Sequence, residues 1–369
     1  MQSSGLNMAN IKEITHRDGP ELSRLKRPVW RAAYSDRMAW QMSIFAELAY
    51  VKFETTSENL LEALAGDLLK LNTVADIKTS LIKFRKQLDN PNKDGKEKLK
   101  IALDAAGFEL VGTFYNQSLD VLKNTEGYVA KRNQGDGHDF AVLAIRGTTS
   151  PQDWIKNAKV GLKSIGGGRQ VHSGFSEAFD DGKDQIEELL KSLDSLPLYI
   201  TGHSLGGAVA VMATWYFKRD TLAACYTFGA PRVGNYKFND SFRTPIYRIV
   251  NAMDPVPLVP PTDKGIACLK IISQLIGFFI GFFNKVAPLF KKIQGYRHAG
   301  DLRHMTAGEM CDDGSYPTVK FYTQFGLSDR LVRGVRLILD GELKRLDKYH
   351  RMEIYRRKLR ARALQRAPK

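Results

Sequence analysis

A chain of 369 residues with 43% hydrophobic and 10% aromatic side chains holds ample apolar material for a core, and its length suits one large domain with decorations. Three cysteines, Cys225, Cys268 and Cys311, are too few, too far apart and odd in number for a disulfide framework or a zinc site, and are expected as buried thiols. The net charge of +15 is uneven: residues 344–369 hold 11 Lys/Arg against Asp347 and Glu353, leaving +9 there.

Residues 1–30 are polar and carry His16, Arg17, Asp18 and Glu21, without the apolar stretch of a cleavable signal peptide. A cytoplasmic or peripheral membrane location is expected, with export lacking a cleaved signal as the alternative. Residues 38–51, MAWQMSIFAELAYV, are apolar at helical spacing, and 59–71 and 74–88 continue in a helical register. The composition of 89–98, DNPNKDGKEK, predicts a polar loop. Short β-prone runs follow at 108–114, 128–131 and 140–145. A helix near 174–193, a strand at 198–201, a helix from Leu205 and strands at 224–228 and 246–251 complete an alternating pattern. Strands alternating with helices predict a mostly parallel α/β sheet with helices on both faces.

The pentapeptide GHSLG at 202–206 stands between the run LYIT and the helical stretch GAVAVMA. A G-x-S-x-G turn between a strand and a helix lifts a serine hydroxyl clear at the helix start, with glycines where a side chain would collide with its neighbours. Ser204 is therefore the expected nucleophile. A serine hydroxyl needs an imidazole to take its proton and a carboxylate to orient that imidazole. In α/β-hydrolases the acid and then the histidine follow the serine in the chain. Asp254, just beyond the strand 246–251, is the expected acid. Three histidines lie downstream: His298, His304 and His350. The first N–H of the helix, at Leu205, is one expected oxyanion donor, and the loop Arg146-Gly147-Thr148 is the expected source of the second.

The segments YITGHSLGGAVA, YTFGAPRVGN, NAMDPVPLVPP, AIRGTTSPQDW, VHSGFSEAF and YRHAGD, spread over roughly 45–300, together resemble the class 3, fungal-type lipase family. That resemblance implies an α/β-hydrolase fold. It names His298 as the base, with His350 as second choice, and Thr148 as the oxyanion donor through its N–H and hydroxyl. His304 is expected on the surface or holding a loop, and His203 and His172 in structural roles with local hydrogen bonds. One departure stands out: family members commonly carry an aspartate three residues after the tryptophan, whereas Trp154 is followed by Asn157. The resemblance also implies a lid at about 150–170, for which Gly166-Gly167-Gly168 would be the hinge; a merely flexible loop is the alternative.

Residues 266–290, IACLKIISQLIGFFIGFFNKVAPLF, are uncharged from 271 to 283. Thirteen helical residues reach about 20 Å, short of the roughly 30 Å hydrocarbon core. A single crossing would also part Asp254 from His298. The segment is expected to contact a membrane or acyl chains as a lid-like element or re-entrant hairpin, with a buried helix as the alternative. In the tail, Leu343, Leu346, Tyr349, Met352, Tyr355 and Leu359 recur at amphipathic spacing with a basic face. That face suits an anionic bilayer, and a helix packed on the body by the same stripe is the alternative. Nucleic acid is a weaker alternative, since no recognition motif accompanies the charge.

The organisation expected is a polar segment at 1–36, an α/β-hydrolase domain at 37–310 with a hydrophobic insertion at 265–295, and a C-terminal segment at 311–369 ending in a basic amphipathic helix. The function expected is that of a serine carboxylic ester hydrolase on glycerolipids, phospholipid over neutral fat, requiring neither metal nor cofactor. The alternatives are a small-ester or thioester hydrolase, or a non-catalytic membrane-binding module.

Overall fold

A computed structural model describes residues 12–20, 33–51, 93–115, 125–148, 161–260, 295–324 and 346–365. In chain order its main elements are α1 (Asp36–Leu48), α2 (Lys93–Ala105), β1 (Glu109–Phe114), β2 (Gly127–Arg132), β3 (Phe140–Ile145), β4 (Leu162–Ser164), β5 (Gln170–His172) and α3 (Ser173–Leu190). Then follow β6 (Leu198–His203), α4 (Leu205–Tyr216), β7 (Leu222–Phe228), α5 (Tyr236–Asn239), β8 (Ile246–Asn251), β9 (Asp301–Met305), β10 (Phe321–Tyr322), α6 (Leu346–Tyr349) and α7 (Met352–Gln365). A π-helical turn at Ile14–Asp18 precedes them.

Eight strands form one sheet in the order β1-β2-β3-β6-β7-β8-β9-β10. The pairings from β3 through β6, β7 and β8 to β9 are parallel, and those of β1 with β2, β2 with β3 and β9 with β10 are antiparallel. The central strands bury every residue in β3 and β6, as strands covered on both faces must, and this is why they read as unbroken apolar runs. One face is covered by α1, α2 and α7 through Trp40, Phe45, Leu99, Tyr355 and Leu359. The other is covered by α3 and α4 through Phe175, Phe179, Ile186, Val209 and Met212. This arrangement is the α/β-hydrolase architecture: a mostly parallel sheet, helices on both faces, and loops gathered past the strand ends.

Four local expectations change. The helix α2 begins inside the segment read as a polar loop, because Leu99, Ala102, Leu103 and Ala106 bury one stripe beneath the charged face. Among the cysteines Cys225 is buried but Cys311 is exposed. The described half of the expected lid, from residue 161, is a β4-β5 hairpin paired from Leu162↔His172 to Ser164↔Gln170. Gly166, Gly167 and Gly168 all have positive φ and form its turn, which Asn235 holds by donating to Gly168 O at 3.0 Å.

The basic face of the tail is also reassigned. Arg356 is fully buried and pairs with Glu47, Asp18 and Glu13, Arg357 pairs with Glu13 and Glu353, Arg360 with Asp18, and Arg362 with Asp36. Cations that looked free for a bilayer are matched by carboxylates contributed from the other end of the chain. The stripe Met352, Tyr355 and Leu359 packs on the body. The segments 59–71, 74–88, 149–160 and 266–290, with Trp154, Asn157 and Cys268, lie outside the described residues. Among the described residues no helix is long and apolar enough to cross a membrane.

Candidate active site

The nucleophile turn is dictated by its glycines. Ser204 follows β6 directly with φ 57° and ψ −128°, and Leu205 opens α4. A Cβ on Gly202 would stand 2.3 Å from Gly206 O, and one on Gly206 2.3 Å from Ile145 O. Any larger residue at either position would force the strand and helix apart. The positive φ at Ser204 costs on the order of 1–3 kcal/mol, a strain held by the buried packing of β6 and α4 on either side.

Asp254 follows the end of β8, buried, with Oδ1 accepting the Val256 N–H at 2.9 Å. His350 occupies the break between α6 and α7. Its Nε2 lies 2.8 Å from Ser204 Oγ, and its Nδ1 lies 2.8 Å from Asp254 Oδ2 and 3.0 Å from Oδ1. A carboxylate only accepts, so Nδ1 carries the ring proton and Nε2 presents its lone pair to the serine hydroxyl. Gly229, with φ +57°, makes room for this pair: a Cβ there would lie 2.6 Å from Asp254 Oδ2 and 3.0 Å from His350 Nδ1.

The structure does not bring His298 to Ser204. The nucleophile and the acid both lie just past the carboxyl ends of parallel strands, whereas His298 precedes the amino end of β9. In the β8-β9 register Asp301 pairs with Tyr247, four residues before Asn251, a level about 13 Å below the strand end at 3.3 Å per residue. His298 is instead half-buried, with Nε2 donating to Pro257 O at 2.8 Å. His304 is buried and holds a loop by binding Ala252 O at 2.9 Å. His172 caps α3, accepting the Gly174 N–H at 3.1 Å, and burial lowers its pKa to about 4.

Leu205 follows the serine directly, and the loop that leads to Thr148 passes beside it. Leu205 is the first residue of α4, where amides have no intrahelical acceptor. Thr148 lies three residues past β3, and its neighbour Gly147 passes so close that a Cβ would stand 3.2 Å from Ser204 Cβ. The ion pair of Arg146 with Glu126 and the Arg146 N–H to Glu126 O bond, 2.8 Å, anchor that loop.

Three further residues support the triad without having been singled out for it in the sequence. The Tyr355 hydroxyl donates to Asp254 Oδ2 at 2.6 Å and accepts the Asn251 N–H at 2.9 Å. Burial, then the neighbouring Asp254, raises its pKa and keeps it a donor. Asn251 Nδ2 donates to Tyr349 O at 2.8 Å, and its Oδ1 accepts from Lys358 Nζ at 2.7 Å. Lys358 also donates to Thr306 O at 2.8 Å, and burial lowers its pKa to about 7. Tyr355 was visible only as one apolar position in a helical stripe, and nothing in the spacing marked its hydroxyl. Among the described residues no group of His, Cys, Asp or Glu gathers that could hold a metal ion.

Residues 142–264 match the family Lipase (class 3). A secreted mono- and diacylglycerol lipase 1 from Fusarium solani is 35% identical over 134 residues, 34% of this chain and 40% of that protein. A chloroplastic phospholipase A(1), DAD1, from Arabidopsis thaliana is 32% identical over 153 residues, 34% of each chain. The solved structure of lipase II from Rhizopus niveus aligns over 62% of this chain and 74% of its own at 24% identity, with a TM-score of 0.42. The matches thus span less than half the length of these two sequence relatives. Residues 142–264, which carry the nucleophile and the acid, are thus similar in sequence to the class 3 lipase family.

Proposed function

We propose that this protein is a serine carboxylic ester hydrolase that cleaves acyl esters of glycerolipids. The observation that carries the reading is the unbroken chain from Ser204 Oγ through His350 to Asp254, each link 2.8 Å, at the strand ends where this fold gathers its reactive groups. His350 Nε2 takes the Ser204 proton as Oγ adds to the ester carbonyl. Asp254 holds the imidazole in its Nδ1–H tautomer and offsets the imidazolium charge. The Leu205 N–H and Thr148 receive the oxyanion, each donor of this kind being worth about 2.7 to 4 kcal/mol. Collapse passes the His350 proton to the leaving alkoxide and leaves an acyl-serine, which water, deprotonated by the same imidazole, releases as the carboxylic acid.

The glycerolipid class is supported by the matched relatives, one bearing the name mono- and diacylglycerol lipase and one phospholipase A(1). An anionic membrane surface as the working partner, and phospholipid over neutral fat, follow from the net charge of +15. The paired arginines of α7 are not the source of that attraction, since each faces a carboxylate. A fluorophosphonate probe should label the wild type stoichiometrically and leave Ser204→Ala unlabelled; equal labelling overturns the nucleophile. Phosphatidylglycerol vesicles should be hydrolysed faster than a triglyceride emulsion, and the reverse preference overturns the lipid class.

A further inference from the structure

We propose that His203, the residue immediately before the nucleophile, is a positioning residue that holds the base His350 by its main chain, with Tyr50 as the group that sets its tautomer. The proposal rests on the Ser204-His350 reading above and adds to it a second, independent tether on the base.

The His203 ring bridges two partners across the site. Its Nε2 lies 2.7 Å from His350 O, and its Nδ1 lies 2.7 Å from the Tyr50 hydroxyl. A carbonyl oxygen only accepts, so His203 Nε2 must carry the proton. A neutral ring has one proton, which leaves Nδ1 as acceptor and Tyr50 as its donor. The hydrogen bonds therefore run in one direction from Tyr50 to His203 to His350 O, and Tyr50 packs against Gly147, where a Cβ would stand 2.3 Å from the Tyr50 hydroxyl. Gly147 belongs to the loop that carries Thr148. One buried line therefore ties the oxyanion loop and the base to the residue beside the nucleophile.

Burial makes the arrangement selective. Tyr50 is 7% and His203 4% exposed, so an unmatched donor or acceptor there would go unsolvated. The rings of His203 and His350 lie 4.5 Å apart at 33°, close enough that a charge on His203 would oppose the imidazolium that His350 becomes during turnover. Burial first, and the neighbouring His350 second, hold the His203 pKa well below its ordinary value. His203 can thus donate to the base's backbone without competing for the serine proton. Asn251 grips the preceding carbonyl, Tyr349 O, from the other side at 2.8 Å, so two successive carbonyls fix where His350 can aim its ring.

Side-chain reach separates a tether from mere space filling. In His203→Gln the amide nitrogen reaches the level of Nε2 and keeps a donor toward His350 O; in His203→Asn it stops at the level of Nδ1. On a water-soluble short-chain nitrophenyl ester, His203→Asn should lower kcat about 10- to 100-fold with KM little changed, the scale of a reactive group displaced by about 1 Å. His203→Gln should recover to within about threefold of wild type. In long-range proton–nitrogen spectra of histidine-labelled protein, His203 should appear as the Nε2–H tautomer, and Tyr50→Phe should convert it to a tautomer mixture while lowering kcat. An Nδ1–H tautomer in the wild type, wild-type turnover in His203→Asn, or Gln no better than Asn overturns the proposal. Should His203→Asn fail to fold, the wild-type tautomer and the turnover of Tyr50→Phe decide alone, and unaltered kcat in Tyr50→Phe overturns it. Wild-type activity in His350→Ala would instead sink the triad assignment, so the two failures are told apart.

Discussion

Replacing His350 by alanine, beside His298→Ala as its counterpart, separates the geometry of the site from the resemblance of its motifs. In His350→Ala the serine loses the imidazole 2.8 Å from its Oγ and Asp254 loses its partner at Nδ1. Removal of a triad base lowers kcat by about 10⁴- to 10⁶-fold, or roughly 5.5 to 8 kcal/mol at 1.36 kcal/mol per tenfold. In His298→Ala the molecule loses the hydrogen bond to Pro257 O from a half-buried ring. That bond is worth about 1 kcal/mol of stability, or about 2 to 4 °C in Tm for a domain of this size, and turnover should stay within about threefold. The assay is kcat on a soluble nitrophenyl ester, where no lipid interface intervenes, with thermal unfolding of both variants recorded alongside. A thousandfold loss in His298→Ala at unchanged Tm, with His350→Ala still active, would refute the assignment and return the base to the motif before β9.

Gly229→Ala should lower kcat at least 100-fold and cost about 1 to 3 kcal/mol, because a Cβ at φ +57° would collide with Asp254 and His350; near-normal turnover would refute the tight packing behind the triad. Arg356→Met should lower unfolding stability by about 3 to 5 kcal/mol in urea, since it leaves the buried Glu47 without its cation and Asp18 with Arg360 alone, and adding Glu47→Gln should recover part of the loss; an unchanged urea midpoint would refute the cluster's role. Lys358 has a folded pKa of about 7 against 10.5, so between these values the unfolded chain binds more protons and stability rises with pH. Below about pH 7 the burial cost is present in full, at most roughly 5 kcal/mol. Urea midpoints at pH 6.5 and 9.5 should therefore diverge more in wild type than in Lys358→Met, and parallel midpoints would refute it.

The sheet, the nucleophile and the acid were legible because each is a local matter. Unbroken apolar runs announce strands covered on both faces, and the glycines of GHSLG announce a turn that tolerates no side chain. Asp254 follows its strand by three residues, so chain order alone reached it. The base was not legible in the same way. His298 and His350 both sit in plausible motifs, and only the register of β9 against β8 shows that the first enters the sheet from the wrong end. The ion cluster was invisible for a related reason: Arg356 finds Asp18 and Glu47 more than 300 residues away, so a one-dimensional reading saw a basic face that suited a bilayer as readily as a helix packed on the body. The glycine hairpin at 166–168 shows the limit of composition, since the same three residues serve a hinge or a tight turn equally well until their strands are seen to pair.

These corrections share one physical consequence. The nucleophile and the acid are delivered by strand ends, which the sheet holds rigidly, whereas the base comes from a break between two short helices that no strand supports. Its position must therefore be built from side chains, and the structure supplies them from three directions: the triad contacts to Asp254 and Ser204, the carbonyl clamps from Asn251 and His203, and the burial of α7 against α1. The last of these depends on Arg356 pairing with Glu47 in α1 and with Glu13 and Asp18 near the start of the sequence. Residues 12–20 were expected as a polar extension outside the hydrolase body. With Asp18 fully buried against the helix that follows His350, they are instead part of what holds the base in line with Ser204.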